Sequence, residues 1–212
     1  MRRVLSVGVV LLAVLIVPSL AKADTVNFDG SSVPCCYINV TYSPFVTPEI
    51  TFTNGVILDN SGWANEATTA PNLYATSDFA PLADSTLLPG FIVGTFTSGT
   101  GSNLSLDVIN GVFSSGTFTL TAFDASNGVL GVTSMLLNPF TTPGSVGTLS
   151  LNVGNIDHFT VTSDQGPSHI DFAIDTVNFN STSATPEPAS LALLAAGLAG
   201  LAGLKRSRKV VS

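Results

Sequence analysis

The central part of this chain has neither lysine nor arginine. All seven basic residues sit in the two ends: Arg2, Arg3 and Lys22 in front, and Lys205, Arg206, Arg208 and Lys209 behind. The stretch from Asp24 to Thr185 holds thirteen of the fourteen acids, Glu187 being the other. It therefore carries a net −13, against −7 for the whole chain. A surface without cations cannot neutralise phosphates, so nucleic acid is excluded as a partner. Anionic membrane is repelled for the same reason. No cationic side chain is available to clamp an anionic substrate. Acid–acid repulsion would have to be relieved by solvent, by spacing or by a divalent metal.

Cysteine is almost absent too. The two present, Cys35 and Cys36, are adjacent, which excludes an ordinary disulfide framework. A bridge between neighbours closes a strained eight-membered ring, outside preferred geometry. A vicinal disulfide, two free thiols and a link to another chain all remain open.

Catalytic motifs are missing as well. There is no G-x-S-x-G elbow, no H-E-x-x-H and no Walker loop. His158 has the opposite parity to Phe159 and Val161, so it is expected on the surface, and His169 begins a strand. The body has only two Glu, Glu49 and Glu66. Nothing marks a carboxylate pair of the glycosidase kind. The reading is of a non-enzymatic protein.

The body does have apolar material. All thirteen Phe, the three Tyr and Trp63 fall within it, enough for one folded domain of about 160 residues. Helical periodicity is absent. Gly116–Phe123 alternates Phe118, Leu120 and Ala122 with Thr117, Thr119 and Thr121. Asn103–Val108, Thr148–Val153 and Phe159–Thr162 do the same, which is the half-buried strand pattern. Two dozen Thr in the body suit the outer face of a pleated sheet. Asn127-Gly128 offers a type I′ hairpin turn. From Phe91 to Phe179 strands recur at the spacing of an antiparallel β-sandwich. Gly30 to Pro89 is less regular and richer in loops.

Asp24-Thr-Val-Asn-Phe28 recurs as Asp175-Thr-Val-Asn-Phe179. Either strand composition repeats itself, or the first and last strands occupy equivalent positions, side by side. In the last strand Phe172 and Ile174 share one parity, Val177 and Phe179 the other. A bulge near Asp175-Thr176 would bring both sets to one face; burial on opposite faces is the alternative.

Two ligand classes suit such a body. Aromatic rings on loops, Trp63 and Tyr74 with Tyr37 and Tyr42, are candidates for stacking on sugar; packing in the core is the competing role. Carboxylates are candidates for calcium. If the terminal strands pair, Asp29 and Asp175 would approach one another and form the candidate site.

The ends carry the address. Met1-Arg2-Arg3, the apolar run Val4–Leu20 and Ala21-Lys22-Ala23 form a secretory signal peptide. Signal peptidase is expected to cut between Ala23 and Asp24. At the other end, Ala189–Leu204 is uncharged and rich in Ala, Leu and Gly, somewhat short of the roughly 20 residues that span a bilayer. Lys205, Arg206, Arg208 and Lys209 would stop transfer and stay cytoplasmic. Transient insertion in the inner membrane is expected.

Pro186-Glu187-Pro188, the apolar helix and the terminal basic cluster resemble the PEP-CTERM sorting signal of Gram-negative bacteria. The resemblance implies processing at or near Pro186-Glu187-Pro188 by an exosortase, a membrane-embedded cysteine protease or transpeptidase. The body would then pass to the cell surface or an extracellular polysaccharide matrix. Thr25–Gly30, Leu120–Gly128 and Phe172–Phe179 are similar to segments of the jelly-roll-like β-sandwiches that carry such tails. Residues 1–23, 24–183 and 184–209 are thus expected as signal peptide, single jelly-roll-like β-sandwich and sorting signal.

Overall fold

The computed structural model describes residues 22–32, 37–38, 44–59, 68–69, 71–76, 90–165 and 171–182, all within a compact unit, Leu20–Ser183. They are all-β, with no helix among them. The strands are β1 (Lys22–Val26), β2 (Tyr37–Ile38), β3 (Phe45–Val46), β4 (Ile50–Thr53), β5 (Val56–Asp59), β6 (Asn72–Ala75) and β7 (Phe91–Phe96). They continue as β8 (Thr100–Asn110), β9 (Gly116–Phe123), β10 (Val129–Leu137), β11 (Val146–Leu151), β12 (His158–Ser163) and β13 (Phe172–Thr182).

Two antiparallel sheets result. One runs β11-β8-β13-β6-β5-β2, with β1 also on β13; the other runs β10-β9-β12-β7-β4-β3. Within them β6-β13-β8-β11 and β7-β12-β9-β10 have the interleaved order of a jelly roll. The irregular early region supplies β4, β5 and β6, so it contributes more sheet than its sequence suggests.

The alternating runs bury their apolar parity. Phe118, Leu120 and Ala122 of β9 meet Leu104, Leu106 and Val108 of β8, Leu149 and Leu151 of β11, and Phe159 and Val161 of β12 in one core. The other parity is left half-buried on the strands' outer faces, where Thr fits the pleat. Rings bind the core together: Phe28 stacks on Tyr74 at 5.3 Å, and Phe52 lies edge-on to Phe159 at 6.3 Å. A second buried cluster, Val56, Leu58, Leu73, Ala75, Ile109 and Ala173, comes from the opposite parity of the seven-stranded sheet. Both faces of that sheet are therefore covered in its middle.

The repeated pentapeptide pairs with itself. β1 runs antiparallel to β13 with Asp24 opposite Phe179, Thr25 opposite Asn178 and Val26 opposite Val177. The two copies are thus related by a local twofold through the valines. Val26, Phe28, Val177 and Phe179 all enter the main core, and the Thr25 hydroxyl bonds Asn178 Oδ1 at 2.6 Å. The Val and Phe of both copies occupy equivalent core positions, whereas Asp175 is buried at a bulge and Asp24 is not.

The bulge lies where the parity demanded it. Against β8, the register of β13 shifts between Asp175 and Asn178, and Thr176 has φ of 46°. Phe172, Ile174, Val177 and Phe179 consequently share the main core. Here β13 also changes its other neighbour, from β6 at Ala173–Ile174 to β1 at Val177.

The β9–β10 hairpin forms, but not through a type I′ turn. Asn127 alone takes a positive φ, 63°. The Asp124 amide donates to the Gly128 carbonyl at 2.9 Å, and the Asp124 carboxylate accepts the amides of Ser126 and Gly128 at 2.8 Å each. The side-chain acceptor favours a wider loop over the two-residue turn.

Gly94 of β7 lies in close approach to a core ring. A Cβ there would fall 2.2 Å from Phe159 Cζ. Phe159 is wedged between Phe52 and Phe96 and cannot step aside. Gly94→Ala is expected to destabilise the domain by about 1–3 kcal/mol. The Gly94→Ala/Phe159→Leu pair should be less destabilised than the sum of its singles, a coupling readable by denaturant titration; additive losses would contradict the geometry.

Candidate functional surfaces

Asp175 sits fully buried at the bulge. Its Oδ2 accepts the Thr69 amide at 2.7 Å and the Thr68 hydroxyl at 3.1 Å. Its Oδ1 accepts the Thr69 hydroxyl at 2.9 Å and the Thr176 amide at 2.7 Å. The last bond holds the left-handed turn of Thr176, and the Thr68 and Thr176 hydroxyls are 2.9 Å apart. Burial pushes the Asp175 carboxyl above the ordinary aspartate range, and the four donors offset part of that.

Asp29 lies beyond β1. Its Oδ1 accepts the Asn72 amide at 3.0 Å, while the Asn72 side-chain amide donates to the carbonyls of Phe28 and Ser31 at 2.9 and 2.8 Å. The terminal strands do pair, and both carboxylates do turn toward one segment, residues 68–72. They meet N–H and O–H donors there. Asp175 has two donors on each oxygen, and both carboxylates staple the chain entering β6. Among the described residues no group of three or more His, Cys, Asp or Glu could hold a metal.

Tyr74 is corrected as a sugar-stacking residue. It is fully buried, with its ring packed against Phe28 and Phe52. The four residues of β6 are buried on both faces, a state that alternation cannot reveal. His158 is on the outer face as expected, but not free. Its ring stacks on Phe123 at 4.8 Å and 8°, and Nδ1 lies 3.0 Å from Asp157 Oδ2. Trp63, Tyr42, Cys35, Cys36, Glu66, His169, Ala21 and the sorting residues Pro186, Glu187, Pro188, Lys205, Arg206, Arg208 and Lys209 lie outside the described residues.

Sequence reasoning missed the outer face of the six-stranded sheet as a unit. Cross-strand registers put Val132, Thr121, Thr160, Val93 and Thr53 in one row. Ser134, Thr119, Thr162 and Phe91 make the next. Val129, Phe123, His158, Thr95, Thr51 and Val46 make a third. None of these rows holds an Asp or a Glu. Of the six large apolar side chains exposed among the described residues, all but Phe113 belong to these strands: Val46, Phe91, Val129, Val132 and Leu136. In so acidic a body, this face can meet a neutral partner through hydroxyls and hydrocarbon. The signal was the Thr parity of β9 and β12; what the sequence withheld was which strands adjoin.

Asp175→Asn would set an amide NH2 against donors that cannot all reverse. A loss of about 1–3 kcal/mol at neutral pH is expected in denaturant titration, and an unchanged midpoint would remove the staple. Because the folded state holds the proton more tightly than an ordinary aspartate, this group stabilises the fold below the unfolded value. That contribution is lost as pH rises through the raised folded one. The Asn variant should lack this slope.

Residues 184–209 match the model of the PEP-CTERM protein-sorting motif. No curated protein matches the chain. Among solved structures, a DUF4465 family protein from Bacteroides caccae is 10% identical with a TM-score of 0.43, over 74% of this chain and 92% of that one. The arabinose-bound α-L-arabinofuranosidase MgGH51 is 12% identical with a TM-score of 0.43, over 73% of this chain and a 25% share of the enzyme. The C-terminal CBM6 of LamC, a marine laminarinase from Zobellia galactanivorans, is 12% identical with a TM-score of 0.35, over 76% of this chain and 100% of the module. These likenesses transfer no ligand and no activity. The C-terminal match is of another kind: through residues 184–209, this chain is a PEP-CTERM protein, an exported exosortase substrate.

Proposed function

We propose that the protein is a non-enzymatic component of the cell surface or extracellular matrix, delivered by a two-ended address. Signal peptidase removes residues 1–23. Residues 184–209 hold the body at the inner membrane until exosortase acts at or near Pro186-Glu187-Pro188, and the β-sandwich 24–183 is the cargo. The sorting motif carries this reading. The fold is compatible with both cuts. Cleavage after Ala23 keeps Asp24–Val26 on β13 with the self-paired motif intact. At the other end β13 stops at Thr182, four positions before Pro186.

Intact-mass spectrometry of the protein from its own host should show a chain beginning at Asp24 and ending near Thr185. Glu187→Ala should accumulate the longer form. A lipid-embedded product that still carries Lys209, with no shortened species, would overturn the assignment.

A second reading assigns the Thr-rich outer face of the six-stranded sheet to a neutral polysaccharide of that matrix. The observation favouring it is the row of Thr hydroxyls flanked by Phe91 and by the stacked Phe123–His158 pair. The protein should be retained on the producer's own polysaccharide in affinity electrophoresis, and Thr121→Asp should abolish retention while leaving the melting temperature within a few degrees. Equal migration of the protein with and without the polysaccharide would eliminate this reading.

A further inference from the structure

The six-stranded sheet ends at β10, which pairs with β9 on one side and with no strand on the other among the described residues. Backbone alternation identifies the groups left over. The Asp164 amide donates to the Thr117 carbonyl, so the odd residues of β9 turn their backbone toward β12 and the even ones toward β10. Phe118 and Leu120 stand opposite Met135 and Thr133. The N–H and C=O groups of Val132, Ser134 and Leu136 therefore point to the free edge. Their side chains are exposed, Val132 at 56% and Leu136 at 67%.

Natural sheets guard such an edge with lysine, proline or another charge. This body has no lysine at all between Asp24 and Thr185. Val132-Thr-Ser-Met-Leu-Leu137 is uncharged, lacks proline and glycine and is rich in strand formers, the composition of a segment that pairs readily. Its register irregularity lies earlier, at Val129–Gly131, and leaves Val132–Leu137 regular.

We propose that β10 is a self-association edge, pairing antiparallel with β10 of a second copy of this chain to join two six-stranded sheets across a twofold axis. A second copy fits better than a foreign strand because the segment is self-complementary. Centred on Ser134, the pair sets Val132 beside the partner copy's Leu136 on the outer face, and Ser134 beside Ser134. A charged partner strand gains nothing from an edge without charge. An antiparallel edge pair is isologous and closes as a dimer rather than growing into a fibre. The acidity of the bodies opposes the approach, so added salt strengthens the dimer, the reverse of an interface held by ion pairs.

Sedimentation of the protein purified from its host, as a function of concentration and salt, tests this. Wild type should dimerise more tightly at higher salt. Leu136→Lys should weaken dimerisation several-fold, because it replaces the hydrocarbon that would meet Val132 of the second copy with the charged side chain that guards natural edges. Phe91→Lys, on the same face but two strands inward from β9, should not. Hydrogen exchange at the amides of 132, 134 and 136 should slow as concentration rises. Ser134→Pro removes an outward N–H without touching the β9 ladder and should give a folded monomer; if it fails to fold, the amide protection and Leu136→Lys still decide. A wild-type monomer at high concentration and salt would overturn the proposal. So would a dimer that survives Leu136→Lys but dissociates with Phe91→Lys, or one without amide protection at 132–136.

Discussion

A domain that has given up lysine and arginine must satisfy its carboxylates by other means, and most of its special features follow from that. Asp175 takes two hydroxyls and two amides. Asp29 takes the Asn72 amide, Asp107 the Thr148 hydroxyl, Asp124 the amides of Ser126 and Gly128, Asp164 the Thr117 amide and Asp24 the Ser181 hydroxyl. Hydrogen bonds to charged groups contribute about 1.5–3 kcal/mol each, and they need no cation. The Thr richness thus does two jobs. It coats the outer sheet face, and it supplies the donors a salt bridge would otherwise provide. Solvent, spacing and metal were too short a list for the relief of acid repulsion; hydroxyls and backbone amides complete it.

These bonds are placed at the joints of the sandwich rather than spread over it. Asp175 and Asp29 fix the segment 68–72 that leads into β6, Asp164 ties the end of β12 to the start of β9, and Asp124 shapes the β9–β10 turn. Across β8 and β13, Asp107 stands directly opposite Asp175, a pairing of like charges that is unfavourable on a sheet face. Thr148 on one side and the Thr68–Thr69 pair on the other accept that arrangement by giving each carboxylate its own donors. Placing the bulge at Asp175 also lets β13 serve β6 with one half and β1 with the other.

Long-strand features could be read from the sequence, because period-two alternation is a direct imprint of one buried face. The parity break in His169–Asn180 located the bulge, since one extra residue is what returns Val177 and Phe179 to the side of Phe172 and Ile174. The pentapeptide repeat left strand composition and side-by-side terminal strands both open, and the β1–β13 pair is the second of these. For Tyr74 the sequence left core packing and sugar stacking both open: β6 is four residues long and buried on both sides, so no alternation separates a core strand from an aromatic loop. The donors around Asp175 lie about 106 positions away in sequence, and no local pattern connects them. The turn at Asn127-Gly128 failed as a type because Asp124 competes for the loop amides from outside the dipeptide. The outer-face rows needed strand order, which alternation does not contain.

The same charge economy bears on what the body does outside the cell. Thirteen acids without counter-cations give every copy a repulsion that acts at the range of the Debye length, about 8 Å at physiological ionic strength. That field opposes the close approach of two copies. Yet it is weaker over the three central rows of the six-stranded sheet's outer face and along Val132–Leu137, which hold no acid. Contacts there depend on hydrocarbon and on backbone groups, which screening does not weaken. A surface so divided is repulsive at a distance and adhesive only when an uncharged sheet meets another neutral surface closely. Charge thus sets the long-range term and the Thr-rich sheet face the short-range one, and the two act on different parts of the same surface.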